Sequence, residues 1–159
     1  MNVVFERVSN SSDEWYTPKF IIDSLGKFDL DPCAPSVPIF KTAEVMYNEF
    51  DDGLAQKWEG RVWLNPPYSR PLINKFMRRM AEHNRGTALI FSRTDTELFH
   101  TEVFNKAAAV KFLKGRIKFL KPDGSEAGTP GCGSVLIAYG EEDANILECN
   151  ELEGKFIRL

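Results

Sequence analysis

Apolar positions along the chain follow two periods, one typical of strands and one typical of helices. Five segments are continuously apolar or alternate with polar residues, and are predicted to be strands: 28–33, 61–65, 87–92, 109–120 (one or two strands) and 134–140. Three segments place apolar residues at helical spacing and are predicted to be helices: 17–26, ended by Gly26, then 69–86 and 95–107. Strands that alternate with helices imply an α/β fold with a mainly parallel sheet and helices on both faces.

The ends of two helices carry recognisable signals. Thr17 is the predicted N-cap of the first helix and Pro18 its first residue, where a missing N–H costs nothing. In the second helix Ser69 is the predicted cap, Pro71 lies in the first turn and Gly86 ends the helix.

Other regions show weaker patterns. Residues 1–13 are predicted to be irregular, residues 34–58 to contain proline-broken turns with a short helix at best, and residues 122–133 to form a long loop. The last 19 residues give no clear prediction. Because no repeat or linker interrupts the chain, residues 1–159 are predicted to form one domain, with no separate target-recognition domain evident.

The composition, 43% apolar and 27% charged, is typical of a soluble protein. No run of 18 apolar residues predicts a membrane span, and no secretory signal precedes the first strand. The odd number of cysteines (Cys33, Cys132 and Cys149) and the lack of a CxxC pair or His cluster predict free thiols and no metal site. A cytoplasmic location is therefore expected.

Charge is distributed unevenly. Residues 1–69 have a net charge of −5, residues 70–121 of +8 and residues 122–159 of −6. If the basic side chains of the middle third share one face, that face is suited to phosphates, although they are equally compatible with ordinary solvated helices and strands.

The sequence "NPPY", residues 65–68, follows a predicted strand. Two prolines end the strand, because neither can donate to a sheet, and they leave the carbonyl of Pro66 free to accept a hydrogen bond. Asn65 supplies a second acceptor, and Tyr68 supplies a flat ring with a polar tip. Two convergent acceptors beside a ring suit a planar group with an exocyclic amino group, such as adenine N6. An ordinary turn has the same composition.

These features resemble a known family, the phage-type N6-adenine DNA methyltransferases, in which Asn-Pro-Pro-Tyr is the catalytic tetrapeptide. Six blocks agree in order over about residues 14–140: "EWYTP", "FDLDPCA", "DGLAQKWEGRVWLNPPYS", "SRTDTELFH", "KGRIKF" and "GSVLIAYG". The resemblance implies a Rossmann-like S-adenosylmethionine-dependent fold, a DNA substrate, no metal, and a phage or prophage origin. It also implies that Asn65 and the Pro66 carbonyl, with Pro67, hold adenine N6 and that Tyr68 stacks on a flipped base.

The resemblance also implies a cofactor site. Thr17 and Pro18 match the motif near the methionine end of S-adenosylmethionine, Asp31 and Pro32 match the motif that ends the first strand, and Asp52 is a candidate for the ribose or adenine.

Two features of the cofactor site depart from the family pattern or stay open. The loop at 31–40, "DPCAPSVPIF", has no glycine where the family's cofactor loop is usually glycine-rich. Asp51 and Glu44 compete with Asp52 as acceptors for the cofactor.

Ser69, Arg93 and Arg116 are candidate substrate contacts, because Ser69 adjoins the tetrapeptide and both arginines lie in the basic third. Two alternatives to adenine methylation in DNA stay open. The substrate could be a different planar amino group, such as cytosine N4 or RNA adenine, or the chain could be a catalytically silent nucleic-acid-binding module.

Overall fold

A computed structural model describes residues 15–159, and the irregular segment predicted at 1–13 lies outside them. The described chain forms one seven-stranded sheet with helices packed against it. The strands are β1 (Leu30–Asp31), β2 (Val45–Met46), β3 (Val62–Leu64), β4 (Gly86–Phe91), β5 (Ala109–Leu113), β6 (Ser134–Tyr139) and β7 (Gly154–Arg158). The helices are α1 (Lys19–Ser24), α2 (Leu72–His83), a π-helix (Phe99–Phe104) and α3 (Glu141–Cys149).

The sheet is mixed, so the prediction of a mainly parallel sheet is wrong. In the order β2-β1-β3-β4-β6-β5-β7, the first four strands are parallel, whereas β6 is antiparallel to both β4 and β5, and β7 is antiparallel to β5. The reason is the connection between β5 and β6, residues 114–133, which contains no helix. A parallel crossover usually needs a helix, and without one the chain returns antiparallel.

Helices cover both faces of the sheet, as predicted. Side chains of α1 and α3 pack with one set of strand residues, including Trp63, Leu89 and Leu136. Side chains of α2 and the π-helix pack with the alternate residues of the same strands, including Leu64 and Ile90. This alternation is the period of a strand whose two faces are both buried.

Three predicted helix ends are wrong. Pro18, not Thr17, is the N-cap of α1, and Pro71, not Ser69, is the N-cap of α2. Helix α2 ends at His83, and its C-cap is Asn84, which adopts the left-handed conformation with φ 55°. Gly86 instead begins β4, where a Cβ atom would lie 2.1 Å from the carbonyl oxygen of Val62, so the close approach to β3 requires glycine.

Several elements differ from or add to the sequence prediction. The helix predicted at 95–107 is present, but Phe99–Phe104 has π geometry. The Tyr139 hydroxyl donates a 2.6 Å hydrogen bond to the Glu102 carbonyl and so satisfies a backbone acceptor in this helix. Strand β2 lies in the proline-rich region, and the last 19 residues contain α3 and β7.

None of the helices in residues 15–159 is long and apolar enough to cross a membrane. The three cysteines are free thiols. The same described residues contain no group of three or more His, Cys, Asp or Glu side chains placed to hold a metal ion.

Candidate active site

A cavity of about 280 Å³ opens at the carboxyl ends of β1 and β3. Parallel strands deliver side chains to this edge of an α/β sheet, and ligands commonly bind there. The cavity brings together nine of the twelve predicted site residues: Thr17, Asp31, Pro32, Asp52, Asn65, Pro66, Pro67, Tyr68 and Ser69. Pro18, Arg93 and Arg116 do not line it.

Asn65 is oriented by two acceptors from the segment that precedes α1. Its amide nitrogen Nδ2 lies 3.2 Å from Thr17 Oγ1 and 3.4 Å from the Trp15 carbonyl oxygen. The amide oxygen Oδ1 receives no hydrogen bond from any described residue, and neither does the carbonyl of Pro66. Both residues line the cavity, so the end of β3 supplies two acceptors without donors at this site.

Tyr68 presents a ring rather than a base. Its hydroxyl is buried and makes no hydrogen bond within residues 15–159. Burial raises the pKa of Tyr68 more than the neighbouring positive charge of Arg93 lowers it, so the phenol stays neutral. The ring stacks on Phe91 with centroids 4.6 Å apart and planes 16° apart.

A row of aromatic rings extends from Tyr68 along the site. Phe91 meets Phe119 edge to face at 6.3 Å, and Phe119 packs against Trp15 at 5.5 Å. Aromatic pairs at these separations contribute to stability beyond their buried area. This row connects Tyr68 to the segment that orients Asn65.

Asp31 is a buried carboxylate at the end of β1. It accepts hydrogen bonds from the Cys33 amide at 3.0 Å and from the Thr42 hydroxyl, and its side chain is 2% exposed. Burial raises the pKa of Asp31 from 3.8 to about 6, because desolvation outweighs these two hydrogen bonds. At neutral pH the cavity therefore holds a carboxylate whose charge the surrounding protein does not fully compensate.

We expect Asp31→Asn to stabilise the protein at pH 7.5. Between pH 4 and 6 the folded state holds a proton on Asp31 that the unfolded state has lost, so stability falls as pH rises through this range. A pKa of about 6 in place of 3.8 corresponds to a cost of about 3 kcal/mol above pH 6. Urea unfolding of the wild type and of Asp31→Asn at pH 5 and 7.5 measures this cost. Equal pH dependence in the two proteins would contradict this account.

A glycine from a later segment of the chain packs against the loop that follows β1. The predicted cofactor loop has no glycine, but Gly53 packs directly against it. A Cβ atom at Gly53 would lie 2.0 Å from the carbonyl oxygen of Pro32. The close backbone approach that a glycine-rich loop provides is thus made between two segments.

The three acidic residues considered as acceptors for the cofactor differ in whether they line the cavity. Asp52 lines the cavity, with φ 53°, whereas Asp51 accepts a hydrogen bond from the Asn48 amide and Glu44 pairs with Lys41 at 3.4 Å. Neither Asp51 nor Glu44 lines the cavity. Glu49, which the sequence analysis missed, lines it three residues after β2. An acidic residue just after a strand is the sequence signal that could have identified Glu49, but the strand that precedes it, β2, was not predicted.

A second cavity, of about 340 Å³, lies at the carboxyl end of β4 and shares Tyr68 with the first. Arg93 lines it, and its guanidinium lies 5.9 Å from the centre of the Phe91 ring. Arg70 is another cation on its wall. Arg116 lines neither cavity; it donates a 2.7 Å hydrogen bond to the Pro130 carbonyl and so anchors the long loop.

The described residues thus form an α/β fold in which Asn-Pro-Pro-Tyr follows an inner strand and lines a cavity that also holds the buried Asp31. The chain belongs to the DNA N-6-adenine-methyltransferase (Dam) family, whose model matches residues 6–147. The predicted family is confirmed.

Two relatives carry the same description, DNA N-6-adenine-methyltransferase. The one from Escherichia phage T1 is 32% identical over 111 residues, which cover 64% of this chain and 45% of the relative. This chain thus matches less than half of that protein. The one from Haemophilus phage HP1 is 29% identical over 166 residues, which cover 92% of both chains. The comparison with solved structures found no match for this chain.

Proposed function

We propose that the protein transfers the methyl group of S-adenosylmethionine to N6 of adenine in DNA. The observation that carries the proposal is the pair of acceptors, Asn65 Oδ1 and the Pro66 carbonyl, which accept no hydrogen bond from the described residues and belong to residues that line the cavity. The mixed sheet, with its antiparallel β6 between β4 and β5, serves in this proposal as a Rossmann-like methyltransferase fold.

The cavity residues suit the proposed cofactor. Carboxylates of Asp31, Glu49 and Asp52 lie on its wall, together with apolar side chains such as Phe40 and Leu54. Carboxylates suit the ammonium group, the sulfonium charge and the ribose hydroxyls, and apolar side chains suit the adenine ring. When bound, S-adenosylmethionine supplies an electrophilic methyl group.

The catalytic residues act through positioning and electrostatics. Asn65 Oδ1 and the Pro66 carbonyl each accept one N6 hydrogen, which favours a pyramidal nitrogen with its lone pair free. They also stabilise the positive charge that develops on N6 in the transition state. Pro67 fixes the backbone after these acceptors, and neutral Tyr68 provides an apolar wall for the flipped base.

Acidic and basic residues occupy separate parts of this edge of the sheet, which we assign to the cofactor and to DNA. The acidic side chains follow β1 and β2, at one end of the strand order, whereas basic side chains follow β4 and β5. Arg93, Arg116, Lys118 and Lys121 are exposed. A cationic cofactor at the acidic end and DNA phosphates at the basic end would place Asn65, on the strand between them, where the two meet.

We expect the double variant Arg93→Gln/Lys118→Gln to bind duplex DNA about tenfold more weakly at 0.1 M salt, with the slope of log affinity against log salt reduced by about 2. Each removed charge eliminates about one phosphate contact. Arg85→Gln is the matched control, because Arg85 is exposed just before β4, at the opposite edge of the sheet. Fluorescence anisotropy measures both quantities. An unchanged salt slope would place the DNA on another surface.

The proposed function is tested by incubating the full chain with methyl-labelled S-adenosylmethionine and unmethylated duplex DNA, then separating the digested nucleosides. Label in N6-methyladenine supports the proposal. Label in N4-methylcytosine, or transfer to RNA alone, would change the substrate. Cofactor binding without transfer to any nucleic acid would refute adenine methylation, and no cofactor binding would favour a silent module.

A further inference from the structure

The segment Trp15–Thr17 crosses the carboxyl end of β3 and contacts Asn65 through two acceptors. The Trp15 carbonyl and Thr17 Oγ1 both accept hydrogen bonds from the side-chain nitrogen Nδ2 of Asn65, at 3.4 Å and 3.2 Å. Thr17 is 5% exposed and is not the cap of α1. A buried hydroxyl that does not cap its helix but meets the catalytic amide has a role that the helix does not explain.

This segment is held firmly from the far side of the site. The backbones of Tyr16 and Leu120 exchange two hydrogen bonds, of 3.0 Å and 2.9 Å. The Tyr16 hydroxyl donates a 2.7 Å hydrogen bond to the Val37 carbonyl, and the Trp15 ring packs on Phe119. The two acceptors that face Asn65 therefore have fixed positions.

A primary amide can be turned by 180° with almost no change of shape, but only one orientation presents its oxygen. In the reversed orientation, Asn65 Oδ1 could still accept a hydrogen bond from the Thr17 hydroxyl, but it would also face the Trp15 carbonyl oxygen, which has no hydrogen to donate. The Trp15 carbonyl therefore selects the orientation of the amide, and the Thr17 hydroxyl adds the second contact that holds it. The reversed Nδ2 would then present donors to a substrate amino group, which also carries donors. Transfer to that amino group requires the orientation observed.

We propose that Thr17 is a positioning residue for Asn65. With the Trp15 carbonyl, its hydroxyl fixes the amide so that Oδ1 faces the substrate amino group. The inference rests on the proposed function, since it concerns the acceptor that binds N6. It assigns Thr17 a role toward Asn65 in place of the cofactor contact that the family resemblance implies.

We expect Thr17→Val to lower kcat about tenfold, the effect of one lost hydrogen bond, while the cofactor Kd changes by less than about twofold. Thr17→Ser keeps the hydroxyl and restores kcat to within about threefold of the wild type. Thr101→Val makes the same chemical change at an exposed site and leaves kcat unchanged. Single-turnover methylation and calorimetry with S-adenosylmethionine provide the two readouts.

A second readout does not depend on activity. The side-chain amide resonances of Asn65, assigned by their absence in Asn65→Ala, should shift in Thr17→Val and return in Thr17→Ser. Unchanged resonances, or a Thr17→Val variant with weaker cofactor binding and normal kcat, would overturn the inference. If Thr17→Val does not fold, Thr17→Ala is read by the same criteria. A wild-type protein without methyltransferase activity would instead refute the proposed function, and the resonance test would still stand.

Discussion

Asn65→Ala is expected to lower the rate of methyl transfer to adenine by at least about 100-fold while the affinity for S-adenosylmethionine changes little. Removal of one preorganised group that stabilises transition-state charge typically costs this much. Asn65 supplies one of the two acceptors at the end of β3, and the substitution leaves Asp31, Glu49 and Asp52, the carboxylates proposed to face the cofactor, unchanged. Single-turnover kinetics at saturating cofactor, together with calorimetry, separate the two quantities.

The matched control is Asn105→Ala, because Asn105 is exposed after the π-helix and does not line either cavity. It should retain the wild-type rate. A rate for Asn65→Ala within about fivefold of the wild type would mean that the amide does not contribute to the transition state. A parallel loss of cofactor affinity would instead mean that Asn65 supports the cavity rather than the chemistry.

The tetrapeptide could be recognised from the sequence as a candidate site, and the fold places it on the cavity, because its features lie within four consecutive residues. Its strand, its rigid exit and its acceptors are all local properties of residues 61–68. Thr17 shows the opposite case. Its sequence context, a threonine before Pro18 and an apolar run, is that of a helix cap, and its actual partner is Asn65, 48 residues away. Local patterns cannot identify a partner that only the tertiary fold provides.

Strand direction was mispredicted for a similar reason. Apolar runs such as those of β5 and β6 have the same pattern whether the strands are parallel or antiparallel. The decisive feature was the connection at 114–133, which is long but rich in glycine and contains no helix. Strand β2 was missed because two residues are too few for any period, and with it Glu49 was missed as a cavity residue.

The antiparallel direction of β6 determines which residues lie at the edge of the sheet that carries the candidate site. Because β6 runs against its neighbours, β5 runs in the direction of β4 and ends at the same edge as the site. The basic residues after β5 are thereby brought to the edge that also carries Asn65. A sequence charge map places these cations only in the middle third, and the sheet topology determines which edge they occupy.

The largest expected effect on stability comes from a buried ion pair at the opposite edge of the sheet. Arg61 Nε lies 3.0 Å from each carboxylate oxygen of Asp143, and these residues are 5% and 0% exposed. Thr87 donates a 2.6 Å hydrogen bond to the same carboxylate, and the Arg61 guanidinium lies 4.1 Å from the centre of the Phe28 ring. The pair connects the residue before β3 to helix α3.

Asp143→Ala is expected to reduce the free energy of unfolding by about 3–5 kcal/mol, since it leaves the Arg61 charge buried without a partner. The double variant Arg61→Met/Asp143→Leu removes both charges and should recover much of this loss. Glu148→Gln is the matched control, because its ion pair with Arg158 is exposed and should contribute less than about 1 kcal/mol.

Urea unfolding midpoints of the four proteins at pH 7.5 provide the comparison. A loss below about 1 kcal/mol for Asp143→Ala would show that water or another group reaches Arg61 once the carboxylate is gone. Asp143 is far from the cavity in the strand register, since β3 has Arg61 before its first residue and Asn65 after its last. Folded Asp143→Ala should therefore retain the cofactor affinity of the wild type, which separates the stability of this sheet from the chemistry at its other edge.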